Sequence, residues 1–501
     1  MKILLINPPR TYFRGSKGPR VGLPLGLLYL AGVLEKNGYS PKIFDCLVVP
    51  TSKIFKKDDK IIHGIPDNDI LEFIKKEKPN VVGITNPFTA QLDNAIHIAD
   101  LTKSIDKEII TVIGGPYASV RGRELLENEK NIDIVVKMEG EYTFLDLIKK
   151  IDKKLPIDDI GNILYRDKKN NIIENKCGEF IKNLDELPLP AYHLIDMDRY
   201  FSFFKRGIGA RTSIYNRSIS MITSRGCPYN CIFCSIHLHM GNFFRAHSSD
   251  YVIRYIKYVV EKYRIKHISF EDDNFTLDTE RCKKIILGII ENQIKITWDT
   301  PNGIRADRID EELVELMKRS GCVELIFGIE SGSQRVLDEI IDKKLKLENV
   351  INAIKLCQKY RIKTKAFFVI GFPGETKEDI LKTKNFSLEL YKKYKIESGL
   401  LIATPLFGTR LYRVCKSKGY LIKEPDPRML SIATQADGHG LIKTEEFDPA
   451  YLKKVAMDAV RIRARIRFKE KLLNPRNYLS GFKFVVFHPL KTFKHLKEKI
   501  F

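Results

Sequence analysis

Short runs of consecutive apolar residues alternate with longer stretches in which apolar positions recur every three or four residues. In the first 150 residues the former are "ILLI", "KIFD", "VVGIT", "IITVIGG" and "DIVVKMEG". The latter are "PLGLLYLAGVLEKNG", "DILEFIKKEK", "DNAIHIADLTKSI" and "TFLDLIKKI". These two periods predict strands alternating with helices, and therefore a parallel sheet covered on both faces. Such a sheet binds ligands in the crevice beyond the carboxyl ends of its strands. Those ends carry Asn7-Pro8-Pro9, Asp45, Thr85-Asn86-Pro87, Gly114-Gly115-Pro116 and Glu139-Gly140-Glu141. Their glycines allow a large ligand to approach the backbone.

Between 151 and 205 the pattern changes: "DKKNNIIENK" reads as a hairpin and "LDELPLPAYHLID" as a proline-punctuated connector. From about 217 a second alternation begins with "SISMITS", "HISFEDD", "ITWDTP", "CVELIFGIES", "TKAFFVIGF" and "GLLIATP". Six strand–helix units predict a partial (β/α)6 barrel of the TIM type, whose chemistry lies where the strands end. The predicted organisation is a Rossmann-like domain (1–150), a hairpin and Pro-containing linker (151–205), the partial barrel (206–415) and a C-terminal region (416–501).

Composition adds a sizeable core without need of disulfides, at 501 residues and 44% hydrophobic content. The N-terminal "MKILLINPPR" is too short an apolar run for a secretory signal, and "VGLPLGLLYLAGVL" (21–34) is too short and too rich in Gly and Pro to span a bilayer. A cytoplasmic protein is expected. Charge changes the picture at one end. Of the net +22, residues 461–501 contribute +10, with phenylalanine, tyrosine, leucine and isoleucine interleaved among the cations. That basic-aromatic tail suits either an anionic membrane surface, with the protein held there peripherally, or a helix packed on the core.

Nine cysteines are present, and six of them (Cys46, Cys177, Cys282, Cys322, Cys357, Cys415) are scattered as expected of buried, inert thiols. The other three, Cys227, Cys231 and Cys234, fall within "SRGCPYNCIFCSIH" directly after the first strand of the second series. Gly226 and Pro228 help this loop curl so that three thiolates meet at one metal centre. Three thiolates rather than four leave one coordination position open for chemistry. A zinc site completed by His237, His239 or His247 is the alternative.

With Phe233 just before the third cysteine, the C-x-x-x-C-x-x-C run resembles the signature of the radical SAM superfamily. The resemblance implies that Cys227, Cys231 and Cys234 hold three irons of a [4Fe–4S] cluster while the fourth binds S-adenosylmethionine (SAM). Reductive cleavage of SAM then gives methionine and a 5′-deoxyadenosyl radical, with an electron donor such as ferredoxin or flavodoxin. By the same resemblance, Phe233, Asp272, Asp273, Asn302, Arg305, Glu330, Ser331, Gly371 and Thr404 face SAM. They come from "FEDDNFTLD", "NGIRADRID", "FGIESGSQRVL", "VIGFPGET" and "ATPLFGT".

A parallel-sheet domain ahead of such a barrel, with "GGPYAS" and "EGEYTF", resembles the cobalamin-binding subclass. This implies cobalamin against Asn7, Pro8, Thr85, Gly114, Gly115, Pro116, Glu139, Gly140 and Glu141. The D-x-H-x-x-G motif of histidine-ligated cobalamin is absent from this domain. The subclass implies a methyltransferase, most simply a C-methylase of a hydrophobic, lipid or isoprenoid-like small molecule at an unactivated carbon. A cyclase, oxidase or rearrangement enzyme of a tetrapyrrole, a tRNA-modifying enzyme and a non-catalytic corrinoid or iron–sulfur carrier are the alternatives. Nucleic acid is disfavoured as a partner, since the second cysteine cluster of methylthiotransferases is missing and residues 1–176 hold only Cys46.

Overall fold

The computed structural model describes residues 1–13, 18–58, 60–167, 169–209, 215–426, 429–430 and 440–473. In chain order the first 174 residues form β1 (Ile3–Asn7), β2 (Arg10–Phe13), α1 (Leu25–Lys36), β3 (Lys42–Asp45), β4 (Lys53–Lys57), β5 (Lys60–Gly64) and α2 (Asp67–Glu77). There follow β6 (Val81–Thr85), α3 (Leu92–Ile105), β7 (Ile110–Gly114), α4 (Pro116–Asn128), β8 (Ile134–Val136), α5 (Glu141–Asp152), β9 (Ile163–Arg166) and β10 (Ile172–Glu174). A seven-stranded sheet runs in the order β10-β9-β8-β7-β6-β1-β3, and the strands from β8 to β3 are mutually parallel. Every residue of β1 and β8 is buried, because helices cover both faces and leave no solvated side for polar positions. Separate apolar cores fill the two faces.

Two features depart from the strand–helix reading. The hairpin expected in the linker, β9–β10, instead pairs antiparallel with β8 and forms the sheet's edge. Ile163 and Leu164 are thereby buried, which an independent hairpin could not achieve. The segment before α2 folds as a three-stranded antiparallel sheet, β2-β5-β4.

The second half contains α6 (Met197–Lys205), β11 (Ser218–Met221), β12 (Ser224–Arg225), α7 (His237–Met240), β13 (Arg245–Ala246), α8 (Ser249–Tyr263), β14 (His267–Phe270), α9 (Thr279–Glu291) and β15 (Thr297–Ile304). It continues through α10 (Glu311–Arg319), β16 (Cys322–Glu330), α11 (Leu347–Lys359), β17 (Lys363–Ile370), α12 (Lys377–Tyr394), β18 (Glu397–Ile402), α13 (Arg410–Ser417) and α14 (Pro449–Leu473). Its six-stranded sheet is β11-β14-β15-β16-β17-β18, parallel throughout and in chain order, which is the expected partial barrel. Helix α8 shows why the pattern folds this way. The Ser248 hydroxyl accepts from the Tyr251 N–H at its start, and Tyr251, Val252, Tyr255, Ile256 and Val259 make one buried stripe.

Helix α14 packs on α12 and β18. Arg463 donates to the Ser398 carbonyl, Arg467 pairs with Glu397 at 2.5 Å, and Glu470 pairs with Lys395 at 2.5 Å. The beginning of the basic tail therefore docks on the barrel, while residues 474–501 lie outside the described residues. Among the described residues no helix is long and apolar enough to cross a membrane. Five of the six scattered cysteines are buried thiols, but Cys177 is exposed in the connector after β10.

Candidate active site

The cysteine loop follows β12 at the carboxyl end of β11, where the barrel strands converge. Gly226 opens it at φ +77°, and a Cβ there would lie 2.3 Å from the Phe243 carbonyl, so the turn tolerates no side chain. The loop is held on several sides. The Gly226 N–H donates to Asp273 (3.0 Å), the Ile232 N–H to the Ile341 carbonyl (2.9 Å), and the Leu411 N–H to the Ile232 carbonyl (2.9 Å). Arg305 stacks over the Tyr229 ring at 3.8 Å, and Arg308 donates to the Tyr229 hydroxyl at 3.0 Å.

All three thiols are half-buried. Burial pushes each of them up, Cys234 to about 12, and each of Cys231 and Cys234 feels at least one neighbouring cysteine. Opposing that rise at Cys227 and Cys231 are the charges of Lys343 and Arg305. Lys343 is buried, and its ammonium donates to Glu330 at 3.0 Å. Glu330 ends β16 in the left-handed region at φ +71°, a strained conformation for a glutamate and the kind that marks a functional site. A Cβ on Gly328 would stand 2.8 Å from the Glu330 carboxylate and 3.3 Å from the Lys343 ammonium, so that glycine makes the room for the pair.

A cavity of about 520 Å³ lies between the two sheets. From the first half, Gly83, Thr85, Pro87, Phe88, Gly114, Gly115, Pro116, Met138, Glu139, Gly140 and Glu141 line it; from the second, Ile222, Arg225, His239, Met240, Glu271, Asp273 and Asn302. At its edge four charged side chains meet out of solvent. Arg225 donates to Glu139 (2.8 Å) and Glu141 (2.6 Å), and Arg245 donates to both oxygens of Glu139 (2.8 and 2.7 Å). Burial alone would raise the Glu141 carboxyl, but the Arg225 guanidinium holds it below its ordinary range. Asp273 lacks a cation so close, and burial pushes it up to about 7.

Cys227, Cys231 and Cys234 share one loop, to which Asp273 is bonded and on which Arg305 stacks, with the Lys343–Glu330 pair beside it, and Asn302 lies with Asp273 at the cavity wall. Other expected residues have partners of their own. Asn7 donates to Asp45 (2.9 Å) within the sheet, and neither it nor Pro8 lines the cavity. Asp272 accepts from the Thr223 N–H and hydroxyl (2.6 Å each) and from Ser224 (2.7 Å), which fixes β12. The Ser331 hydroxyl pairs with Thr383 at 3.0 Å, and Thr404 donates to the Ile402 carbonyl at 3.2 Å. Gly371, at φ +95°, backs onto Leu452 of α14, where a Cβ would meet the leucine at 2.5 Å. Phe233 packs at 5.8 Å from Phe372. The fork of Arg305 is taken by Asp307 (2.9 and 2.7 Å) and the Lys343 carbonyl (2.8 Å), which holds its face over Tyr229 of the cysteine loop. His247 is engaged by Asp185 (3.1 Å) and stacked on Tyr251.

Several cavity residues carry no motif. Tyr29 lies within an apolar helical run, yet it lines the cavity with its buried hydroxyl unpartnered among the described residues. Phe88, 57% exposed, stands at the rim. His239 lines the wall with Nδ1 likewise unpartnered.

Residues 221–387 match the radical SAM superfamily, and residues 16–148 match the B12 binding domain. An uncharacterized methyltransferase of Pyrococcus horikoshii is 34% identical over 427 residues, 84% of each chain. The chain belongs to the cobalamin-binding radical SAM enzymes. A cytidylyl-2-hydroxyethylphosphonate methyltransferase of Streptomyces wedmorensis is also similar, at 31% identity over 84% of this chain and 83% of that one. Two solved members of this group share the fold. OxsB, with aqua-cobalamin and SAM bound, superposes with a TM-score of 0.70 at 20% identity, covering 97% of this chain and 71% of its own. TsrM from Kitasatospora setae, with cobalamin and a [4Fe–4S] cluster bound, superposes at 0.66 and 17% identity over 85% and 79%.

The cofactors of a cobalamin-binding radical SAM enzyme are the cluster, SAM and cobalamin, and the residues present fit them. For cobalamin, the strand ends offer a bare backbone cradle at Gly114, Gly115 and Gly140, near the Tyr29 hydroxyl and the buried Asn86 amide, both unpartnered among the described residues. For the cluster, the donor set is three soft sulfurs with no fourth cysteine nearby. Among the described residues no three His, Cys, Asp or Glu side chains are gathered as a ready metal-binding group.

Proposed function

We propose that this cobalamin-dependent radical SAM enzyme transfers a methyl group from SAM to an unactivated carbon of a small molecule. The observation that carries the reading is the shared chamber: the glycine-edged ends of the first sheet and the cysteine-loop end of the barrel open onto one cavity. Bound there, the cofactors would supply methyl-transfer chemistry and the abstraction of hydrogen from carbon.

The chain's own residues bind, orient and exclude water. Cys227, Cys231 and Cys234 hold the cluster. Lys343 places a buried cation beside them, with donors suited to the SAM carboxylate. Glu330, held in its strained conformation, accepts from Lys343 and directs that ammonium. Asp273, pushed up to about 7, keeps the Gly226 turn in place and presents a carboxyl at the chamber wall that holds or releases a proton near neutrality. Thr85, Gly114, Gly115, Pro116 and Gly140 form the cobalamin cradle. The apolar faces of Leu5, Leu27, Val112 and Phe144 close its floor against water.

The narrower reading is a hydrophobic, lipid or isoprenoid-like substrate, with ferredoxin or flavodoxin as reductant in the cytoplasm. Its support is the interleaving of cations and aromatics from 461 to 501, and the exposure of Phe468 on α14. Anaerobic reconstitution with iron, sulfide and cobalamin, then incubation of cell-extract fractions with SAM carrying a deuterated methyl, tests both levels. Label in a lipid-extractable product is expected. Label confined to water-soluble products overturns the lipid part. Deoxyadenosine formation with bound corrinoid and no label in any fraction favours a cyclase-type reaction instead.

A further inference from the structure

The buried cluster of Glu139, Glu141, Arg225 and Arg245 is expensive to bury, and it sits where the two halves of the chain meet. All four side chains are less than a tenth exposed. Its remaining bonds are also directional: Arg245 donates to the Ile181 carbonyl (2.9 Å) and the Met240 carbonyl (2.6 Å), while Glu139 accepts from the Ile181 N–H (2.9 Å). Buried ion clusters of this kind add little stability over apolar packing, and their best-attested use is to fix one register among several. Arginine forks on carboxylates fix angle as well as distance, whereas an apolar contact slides.

The connectivity says which register is fixed. Glu139 and Glu141, which both bond Arg225, flank Gly140, and all three edge the cavity. On the other side Arg225 is followed directly by Gly226 and Cys227. Gly226 is packed so closely on the Phe243 backbone that a Cβ would stand 2.3 Å from its carbonyl, and its N–H is held by Asp273 at 3.0 Å. Phe180 and Phe243, whose rings lie 4.9 and 5.1 Å from the Arg245 guanidinium, close the cluster from solvent.

We propose that Glu139, Glu141, Arg225 and Arg245 are positioning residues that set the separation and orientation of the cobalamin cradle relative to the cysteine loop. Glu139 and Glu141 then serve the corrin indirectly, through the arginines, and are not its ligands. The inference rests on the cofactor pair and not on the identity of the substrate or the outcome of the radical step.

The test uses the reconstituted full chain, reduced so that cob(II)alamin and the cluster are both paramagnetic, with the dipolar distance between them read by pulsed EPR. Wild type should give one narrow distance distribution. Glu139→Gln and Arg225→Gln should broaden it and shift its centre, while iron content stays at the wild-type level. Arg225→Lys, which keeps the charge but loses the fork, should fall between them and covers the case in which the glutamine variants fail to fold. Distributions that superpose on wild type for Arg225→Lys and for any folded glutamine variant, with only the melting temperature lowered, would overturn the proposal by making the cluster a stability feature alone. A wild type that takes up iron but no cobalamin overturns the cofactor reading, and the proposal with it.

Discussion

The two walls of the chamber are built by opposite means. On the first sheet the wall is made largely by leaving side chains out, at Gly114, Gly115 and Gly140, with tyrosine, phenylalanine and methionine around them. On the barrel side charge lines it, at Arg225, Glu271 and Asp273, and the cysteine loop nearby is held by Asp273 and Arg305 with Lys343 and Glu330 paired beside the cysteines. The difference teaches what each partner demands. A large macrocycle needs room and close backbone approach, whereas an anionic cluster and a zwitterion need fixed compensating charge.

Breaking the charge pair beside the cysteine loop should have the largest effect. Lys343→Met leaves Glu330 buried and unpaired, at a cost of about 3–5 kcal/mol in urea unfolding. The double variant Lys343→Met/Glu330→Gln should recover most of that loss, yet still bind SAM weakly by equilibrium dialysis.

Filling the empty wall is next. Gly115 sits at φ +128°, and a Cβ there would lie 2.2 Å from the Asn86 carbonyl. Gly115→Ala should cost about 1–3 kcal/mol and abolish the corrinoid absorbance while iron content remains unchanged. Loss of iron together with corrinoid would break the comparison, since the two walls would then not be separable.

Two buried glutamates sharpen it through pH. Glu141 faces arginine, so its carboxylate stabilises the fold above its ordinary range and the contribution is lost as pH falls. Glu375 forms no such pair among the described residues, and Asp379 and Arg335 act on it in opposite senses. Burial raises it to about 8, although the N–H groups of Gly371 (2.6 Å) and Phe372 (2.7 Å) pull the other way. Its contribution is complete below its ordinary 4.5 and is lost as pH rises through about 8. Stability should therefore decline across that window by at most about 1.4 kcal/mol per pH unit, and Glu375→Gln should flatten the slope. An unchanged slope in the variant would show that another group titrates there.

The smallest effect concerns the periphery. Phe468→Ser, at a side chain 63% exposed, should change stability by less than about 0.5 kcal/mol. Flotation with anionic vesicles should still be weakened if the segment meets a membrane.

Much of this was legible in the residues because it is local. The cysteine spacing, the Gly226 turn and the strand-end glycines are features of a few consecutive positions, and the β/α periodicity predicted both sheets. What escaped is long-range. Glu139 and Glu141 edge the cavity as their place after a strand suggests, but their arginine partners are 84 to 106 residues away. Asp272 and Asp273 are adjacent and chemically alike, yet only the fold separates them, one anchoring β12 and the other lining the chamber. Tyr29 was hidden because a helix face toward a cavity has the same periodicity as one toward a core. The hairpin β9–β10 looked like linker because its few apolar residues become buried only against β8.

The central claim is that both cofactors serve one reaction in one chamber. It is tested most directly by counting products from SAM in the fully reconstituted enzyme supplied with its methyl acceptor. The account predicts that S-adenosylhomocysteine and deoxyadenosine accumulate in equal amounts with the methylated product, and that Cys231→Ala loses deoxyadenosine. Deoxyadenosine formed at the wild-type rate by enzyme that binds no corrinoid, with no S-adenosylhomocysteine, would contradict it.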